Sequence, residues 1–200
     1  MSNLKGLGVA LITPFNEDLS VDFDSLTRLV EYNIKNGTNY LVVLGTTAET
    51  ATLSKDEQKQ VIEHIIKVNS KRLPLVLGIG GNNTLAVKEQ IENTNLDEFE
   101  GVLSVSPYYN KPNQEGIYQH YKTLASTGKK IIIYNVPGRT GQNIEASTTL
   151  RLAKEFPNLF MIKEAAPNIN QYFDILRQKP VDFSLVSGDD EFTLPVTLAG

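Results

Sequence analysis

The stretch Ile131-Ile-Ile-Tyr-Asn-Val-Pro137 shows the pattern that decides the fold. Three β-branched residues form a short apolar run that ends at polar and turn-forming residues. Such a run lacks the polar alternation of a half-exposed strand, so it is typical of a strand buried on both faces, as in parallel sheets. Similar runs recur along the chain, and we predict strands at Gly8–Thr13, Tyr40–Leu44, Leu75–Gly78, Gly101–Val105, Ile131–Asn135, Leu159–Lys163 and Phe183–Ser187.

Amphipathic segments separate the predicted strands. The first segment has its apolar residues on one helical stripe, formed by Phe23, Leu26, Leu29, Val30 and Ile34. The second begins at Ser54-Lys-Asp-Glu57, which has the spacing of a capping box, and its apolar positions are Val61, Ile62, Ile65 and Ile66. A helix is therefore predicted after every strand, within a single α/β domain over residues 1–200.

Repeated strand–helix units fit either an open doubly wound sheet or a closed barrel. Gly78-Ile-Gly80-Gly81-Asn-Asn83 lacks the third glycine of a dinucleotide-binding fingerprint, which disfavours the open sheet. Polar and aromatic residues follow the carboxyl ends of the strands: Thr13, Thr46, Thr47, Tyr108, Tyr109, Tyr134, Lys163, Ser187 and Gly188. Barrel enzymes keep their chemistry at this position, so the predicted fold class is a TIM (β/α)8 barrel.

The sequence accounts for about seven βα units and lacks an eighth strand and the helical region after it. It ends at Leu198-Ala-Gly200, inside the helix predicted after the seventh strand. An unclosed barrel would expose the edges of its first and last strands. We therefore expect these 200 residues to be an incomplete barrel catalytic domain, shortened from a longer protein.

Composition excludes several classes of function. The net charge of -4, with no cluster of Lys and Arg, argues against nucleic acid as a partner. With no cysteine, no apolar segment long enough to span a bilayer and no cleavage pattern near Met1, the expected location is the cytoplasm, away from membranes. His64 and His120 have no partner at metal-ligand spacing, so no metal site is predicted.

Lys163 ends an apolar run and would lie where the barrel interior meets the mouth of the active site. An ordinary lysine is only about one part in 10³ neutral at pH 7, and desolvation or nearby positive charge lowers its pKa and frees a nucleophile. This position suits a Schiff-base lysine. The strand pattern alone favours the other interpretation, a lysine whose stem packs at the strand end while its head reaches water.

Neighbouring polar residues favour the catalytic interpretation. Tyr134 lies one strand before Lys163, and a phenol can carry protons to and from a carbinolamine or enamine. Thr46, Thr47 and Tyr109 offer a hydroxyl chain and donors for a small carboxylate, although each residue alone is more often structural. Arg139, in a glycine-rich loop, is either a bidentate carboxylate ligand or a solvated loop arginine.

Four segments resemble the signatures of the dihydrodipicolinate synthase family, in its order and spacing, within a match that runs from residue 5 to residue 200. They are Gly45-Thr-Thr-Ala-Glu-Thr50, Ser106-Pro-Tyr-Tyr-Asn-Lys-Pro112, Tyr134-Asn-Val-Pro-Gly-Arg-Thr-Gly141 and Ile162-Lys-Glu-Ala165. The resemblance implies a lyase of the class I aldolase type. Its substrates would be pyruvate and L-aspartate 4-semialdehyde, which it would condense in lysine and diaminopimelate biosynthesis.

The resemblance also implies a role for each matching residue. Lys163 would form the pyruvate imine, with no other cofactor, and the proton relay would comprise Thr46, Tyr134 and Tyr109. Substrate would be held by Thr47 at the pyruvate carboxylate, by Gly188 in the pocket lining and by Arg139 at the semialdehyde carboxylate. In the family, the tyrosine at the Tyr109 position reaches into a neighbouring subunit, so a homodimer or homotetramer is expected.

The sequence departs from the family pattern at two places. Ala48 and Thr50 replace a common glycine and serine beside the paired threonines. Lys55, Gln58 and Ala86 occupy positions where lysine-sensitive members carry histidines and a glutamate, so weak or absent inhibition by lysine is expected.

Two competing functions remain at this point. N-acetylneuraminate lyases and 2-keto-3-deoxy-sugar-acid aldolases share the lysine and the tyrosine, but they generally lack the arginine that stands here in Pro-Gly-Arg139-Thr-Gly. A non-catalytic barrel is the other alternative. Retention of the lysine, tyrosines, threonines and arginine together argues against it.

Overall fold

The computed structural model describes residues 4–200, so Met1–Asn3, on which the prediction of no cleavable leader partly rests, lie outside the described residues. Residues 4–200 form two compact units. The first comprises residues 4–78 and Asn95–Gly101, and the second comprises Ile79–Thr94 and Val102–Gly200.

The first unit contains parallel strands that pair in chain order. They are β1 (Gly8–Ala10), β2 (Tyr40–Val43) and β3 (Leu75–Gly78), and the helices are α1 (Phe23–Lys35) and α2 (Lys55–Asn69). The capping box is confirmed: the Ser54 hydroxyl accepts from the Glu57 backbone N–H, and the Glu57 carboxylate accepts from the Ser54 N–H. Every residue of β2 is buried, as the apolar run predicts.

The second unit repeats the pattern. Its strands are β4 (Gly101–Val105), β5 (Ile131–Asn135), β6 (Leu159–Glu164) and β7 (Ser184–Ser187), which also pair in parallel in chain order. Its helices are α3 (Thr84–Asn93), α4 (Gln114–Ala125), α5 (Pro137–Thr140), α6 (Ala146–Glu155), α7 (Ile169–Gln178) and α8 (Asp190–Ala199). Each predicted strand is confirmed, and a helix follows each of them.

The ends of four strands differ from the predicted bounds. β1 stops at Ala10, although the Leu11 backbone N–H still donates to the Val42 carbonyl (3.1 Å), and the Thr13 hydroxyl donates to the Ala48 carbonyl (2.8 Å). β2 stops at Val43 and not at Leu44, whose backbone lies in the left-handed region (φ 53°). β6 continues to Glu164, since the next backbone N–H, that of Ala165, still donates to Asn135 (2.9 Å). β7 begins one residue later than predicted, at Ser184.

Buried polar groups in the second unit tie helix α4 to neighbouring elements. Tyr121 donates from its hydroxyl to the Ser104 carbonyl (2.8 Å) and accepts from the Tyr134 backbone N–H (3.3 Å). His120 is buried beside Thr84, with 2.8 Å between the Nδ1 and Oγ1 atoms, and burial lowers its pKa to about 4. This histidine is therefore neutral at pH 7.

Two findings concern residues 4–200 as described. No helix among them is both long and apolar enough to cross a membrane. No group of three or more His, Asp or Glu side chains in this part of the chain is placed to hold a metal ion.

Candidate active site

The register of β5 and β6 places Lys163 directly beside Tyr134. Lys163 is half-buried, and its Nζ atom lies over the Tyr134 ring, 4.8 Å from the ring centroid. Tyr134 itself is buried, so the two side chains meet in a partly desolvated space. The pairing arises because residues aligned across parallel strands project to the same face of the sheet.

The amine of Lys163 is easier to deprotonate than an ordinary lysine. Burial lowers its pKa, the positive charge of Arg139 lowers it further, and the negative charge of Asp190 acts in the opposite direction. A lowered lysine pKa means a larger neutral fraction at pH 7, and the neutral amine is the nucleophile. The partial burial and lowered pKa of Lys163 therefore favour a nucleophilic amine over a fully solvated ammonium.

Arg139 lies on a short helix and not in a loop, so the loop prediction for Pro137–Gly141 is wrong. Pro137 occupies the first turn of α5, where its missing N–H costs nothing, and Gly141 ends the helix in the left-handed conformation (φ 69°). The Arg139 side chain is exposed. It combines access from solvent with an electrostatic effect on Lys163, which suits a ligand for a substrate carboxylate.

Gly188 follows β7 and contacts the stem of Lys163. Its backbone N–H donates to the Glu164 carbonyl (2.7 Å). A Cβ atom placed on Gly188 would lie 2.7 Å from Cε and 3.1 Å from Cγ of Lys163. The residue at this position therefore limits where the lysine side chain can go.

Thr46 and Thr47 belong to the first unit, in a 3-10 turn (Thr46–Ala48) after β2, and both are exposed. The two departures from the family pattern fit this turn. Ala48 is buried and its carbonyl accepts from Thr13, while the Thr50 hydroxyl donates to the Leu44 carbonyl (2.9 Å). Hydrogen bonds from Thr13 and Thr50 thus hold this segment, and the paired threonines are exposed.

Tyr109 is set apart from the other predicted site residues of its unit. Its side chain is 86% exposed, and its backbone lies in the left-handed region (φ 69°). A non-glycine residue in this region is uncommon and is often held there for a functional reason. The structure therefore assembles Lys163, Tyr134, Arg139 and Gly188, and it leaves the Tyr109 phenol at the surface.

Comparison with known proteins assigns the chain to a family. The sequence matches the dihydrodipicolinate synthetase family over residues 3–200. The chain belongs to that family. It is 55% identical to the 4-hydroxy-tetrahydrodipicolinate synthase of Parabacteroides distasonis over 99% of this chain and 67% of the relative. The enzyme of Flavobacterium psychrophilum is 58% identical, over 98% of this chain and 67% of the relative.

Solved structures of dihydrodipicolinate synthases superpose closely on the chain. That of the Aquifex aeolicus enzyme gives a TM-score of 0.91 at 40% identity, over 98% of this chain and 67% of the other. That of the Acinetobacter baumannii enzyme, complexed with pyruvate, gives 0.93 at 42% identity, over 98% and 68%. These matches confirm the (β/α)8-barrel class. The chain spans about two thirds of the length of these relatives.

Membership of the dihydrodipicolinate synthetase family decides between the functions that the sequence left open. The family is one of lyase-type enzymes, and the matched relatives are named as synthases. The synthase interpretation is thereby favoured over the sugar-acid aldolases and the non-catalytic barrel.

The sequence did not point to two acidic residues that lie beside the candidate site. Asp190 lies two residues after Gly188 and acts on the charge of Lys163. Glu164 follows Lys163 immediately and is completely buried. The signal for both was an acidic residue at or just beyond a strand end. Glu164 is also buried, where a charge must have a partner, whereas Asp190 is exposed.

Substituting Gly188 by alanine is expected to slow imine formation at Lys163 about tenfold, because displacement of a reacting group lowers the reaction rate. The protein is expected to remain folded. The new methyl group would lie 3.0 Å from the Ala165 Cβ atom and closer still to the flexible lysine stem, which moves aside and takes the amine with it. Gly138→Ala is the matched control, since a Cβ there meets nothing within 4 Å. The measurement is the rate of borohydride-trapped pyruvate adduct. Equal rates in both variants would show that Gly188 does not limit the lysine.

Proposed function

We propose that the protein is a Schiff-base lyase that condenses pyruvate with L-aspartate 4-semialdehyde, in lysine and diaminopimelate biosynthesis. The observation that carries the proposal is the half-buried Lys163 amine, with its lowered pKa, over the Tyr134 ring. The names of the curated relatives, and the pyruvate complex of the Acinetobacter baumannii relative, support the choice of substrates.

The neutral Lys163 amine attacks the keto carbon of pyruvate and forms a carbinolamine. Loss of water gives an imine, and loss of a methyl proton gives an enamine whose carbon attacks the aldehyde of the second substrate. The amino group of that substrate then attacks the imine carbon, which closes the ring, and the bond to Lys163 breaks to release the free amine. Each step moves a proton, and the buried Tyr134 hydroxyl is the nearby group suited to carry it. Thr46 and Tyr109 complete the proposed relay. The mechanism uses the covalent pyruvate imine on Lys163 and needs no cofactor.

Substrate binding follows from charge and space. Thr47 offers an exposed hydroxyl to the pyruvate carboxylate, and Gly188 leaves room beside the lysine stem. Arg139 is exposed and cationic, so it suits the carboxylate of the semialdehyde, which a guanidinium can hold with two parallel hydrogen bonds.

The assembly and location of the protein belong to the same proposal. The high exposure of Tyr109 supports a role in the site of a neighbouring subunit, within a homodimer or homotetramer. Small soluble metabolites as substrates, the negative net charge and the absence of cysteine support the cytoplasm.

The choice of aldehyde tests this function. Purified protein, in the full form that its gene encodes, is incubated with pyruvate and either L-aspartate 4-semialdehyde or N-acetylmannosamine. Turnover of the semialdehyde and not of the sugar is expected. The reverse preference would assign the protein to the N-acetylneuraminate lyases, and an imine with no turnover of either aldehyde would reject the synthase function.

Lysine is expected to inhibit the reaction weakly or not at all. Its ammonium needs an acceptor or a negative charge, because an unpaired buried charge carries a large desolvation cost. Ala86 supplies neither. Gln58, whose amide nitrogen donates to the Thr50 and Leu53 carbonyls (3.1 and 3.0 Å), carries no negative charge to balance the ammonium. The check is a lysine titration of the condensation reaction. Half-inhibition below about 1 mM, roughly -4 kcal/mol of binding free energy, would contradict this expectation.

A further inference from the structure

A buried polar cluster lies on the face of β5 and β6 opposite to the proposed catalytic pair. Successive residues of a strand point to opposite faces, so Asn135 and Glu164 point away from Tyr134 and Lys163. The same register that aligns Tyr134 with Lys163 aligns Asn135 with Glu164. The cluster is therefore placed directly behind the two reacting side chains.

Glu164 is the centre of this cluster, with no exposed surface. Its Oε1 atom accepts from Asn135 Nδ2 (2.8 Å) and from the Ala166 backbone N–H (2.8 Å), and its Oε2 atom accepts from Gln171 Nε2 (2.8 Å). All three of these groups are N–H donors. A carboxylate accepts at both oxygens and donates at neither, so the ionised form fits them, although burial raises the pKa of Glu164.

The side-chain amides of Asn135 and Gln171 cannot exchange their oxygen and nitrogen positions without losing other hydrogen bonds. Asn135 Oδ1 accepts from the Ile144 backbone N–H (2.9 Å), which turns its amide nitrogen toward Glu164. Gln171 Oε1 accepts from Asn143 Nδ2 (2.9 Å), which likewise directs its amide nitrogen toward Glu164. The cluster therefore has one consistent arrangement of donors and acceptors, with a carboxylate at its centre.

Backbone groups at the ends of β5 and β6 form hydrogen bonds next to the same cluster. The Glu164 carbonyl accepts from the Tyr172 hydroxyl (2.8 Å) and from the Gly188 N–H (2.7 Å). The Ala165 N–H donates to the Asn135 carbonyl (2.9 Å). A change at Glu164 is thus transmitted to the backbone that carries Lys163, one residue away.

We propose that Glu164 is a positioning residue for imine formation: its carboxylate joins the ends of β5 and β6 and so sets the Lys163 amine against the Tyr134 phenol. The inference rests on the proposed function, because the step that it serves is the reaction of Lys163 with pyruvate. Glu164 does not touch substrate and acts only through the two side chains in front of it.

The test is Glu164→Gln, which keeps the shape of the side chain and replaces one acceptor by an N–H donor. That donor then faces another donor, either at Gln171 or at Asn135, and the strand ends must shift to separate them. The rate of imine formation with pyruvate is expected to fall about tenfold or more, since small displacements of reacting groups cost large factors in rate. The pyruvate concentration at half-saturation is expected to change less than about threefold, because the pyruvate-binding groups are untouched.

Two further variants make the result specific. Glu155→Gln is the chemical control: Glu155 is an exposed residue of α6 that accepts from the Tyr118 hydroxyl, and its substitution is expected to leave imine formation unchanged. Gln171→Met removes a single donor from the carboxylate and serves if Glu164→Gln does not fold. It is expected to slow imine formation about threefold, again through displacement of the reacting groups.

Crystal structures of the unmodified protein and of a folded cluster variant, Glu164→Gln or Gln171→Met, separate this inference from the proposed function. The distance from Lys163 Nζ to the Tyr134 ring centroid, 4.8 Å here, is expected to change in the variant, and this readout needs no pyruvate. Failure of the unmodified protein to trap pyruvate would reject the proposed function alone. An unchanged distance, or an unchanged rate in a protein that does trap pyruvate, would overturn the positioning role.

Discussion

Lys163→Ala is expected to abolish the covalent pyruvate adduct and to reduce the condensation to its uncatalysed rate. Alanine has no amine, and the remaining side chains of the site cannot form an imine with a keto group. The expected loss is complete because the mechanism passes through the covalent intermediate at every turnover. The measurement combines borohydride trapping with an assay of semialdehyde consumption.

A second lysine provides the control for this experiment. Lys154 is an exposed residue of α6, and Lys154→Ala is expected to retain both the adduct and the activity. Retention of the adduct in Lys163→Ala would mean that another amine is the nucleophile, and the proposed site would then be wrong.

Arg139→Ala is expected to reduce catalytic efficiency toward the semialdehyde by roughly 10², the scale of a lost charge-assisted carboxylate contact. Imine formation with pyruvate is expected to suffer far less, because Arg139 acts on the first step only through its charge. Steady-state kinetics with each substrate varied in turn would measure both effects. Equal damage to both steps would assign Arg139 to support of the scaffold.

Arg139→Ala is also expected to shift the pH dependence of imine formation in a definite direction. Arg139 lowers the pKa of Lys163, so its removal raises that pKa and moves the rising limb of imine formation to higher pH. Asp190 raises the pKa of Lys163, and Asp190→Asn is therefore expected to move the same limb to lower pH. Opposite shifts in the two variants would support the charge arrangement around the amine, and shifts in the same direction would contradict it.

The strands of the fold were predictable because their signal is local. Runs such as Ile131–Asn135 and Gly101–Val105 are apolar on both faces, and the structure gives them the predicted bounds. The Ser54–Glu57 capping box was equally local, because both partners lie within one turn. The placement of Lys163 and Tyr134 on neighbouring strands followed from their order along the chain.

Long-range hydrogen bonds could not be predicted in the same way. The partners of Glu164 are brought together by folding: Gln171 lies on α7, and Asn135 is on the adjacent strand. The pattern of residues also did not distinguish a loop from the single helical turn at Pro137–Thr140. A glycine on each side of Arg139 weakens any helix signal, while the hydrogen bonds that form the turn appear only in the structure.

The roles assigned to the individual site residues, and the single domain assigned to residues 1–200, stay predictions. Thr46 and Thr47 lie in one compact unit, and Lys163 lies in the other. The relay that joins them in the proposed mechanism therefore depends on the resemblance to the family.

The most direct test of the central claim is mass spectrometry of the protein after incubation with pyruvate and borohydride. We expect one reduced pyruvate imine per chain, located on Lys163 by peptide mapping. An adduct on a different lysine, or no adduct in protein that is folded and saturated with pyruvate, would contradict it.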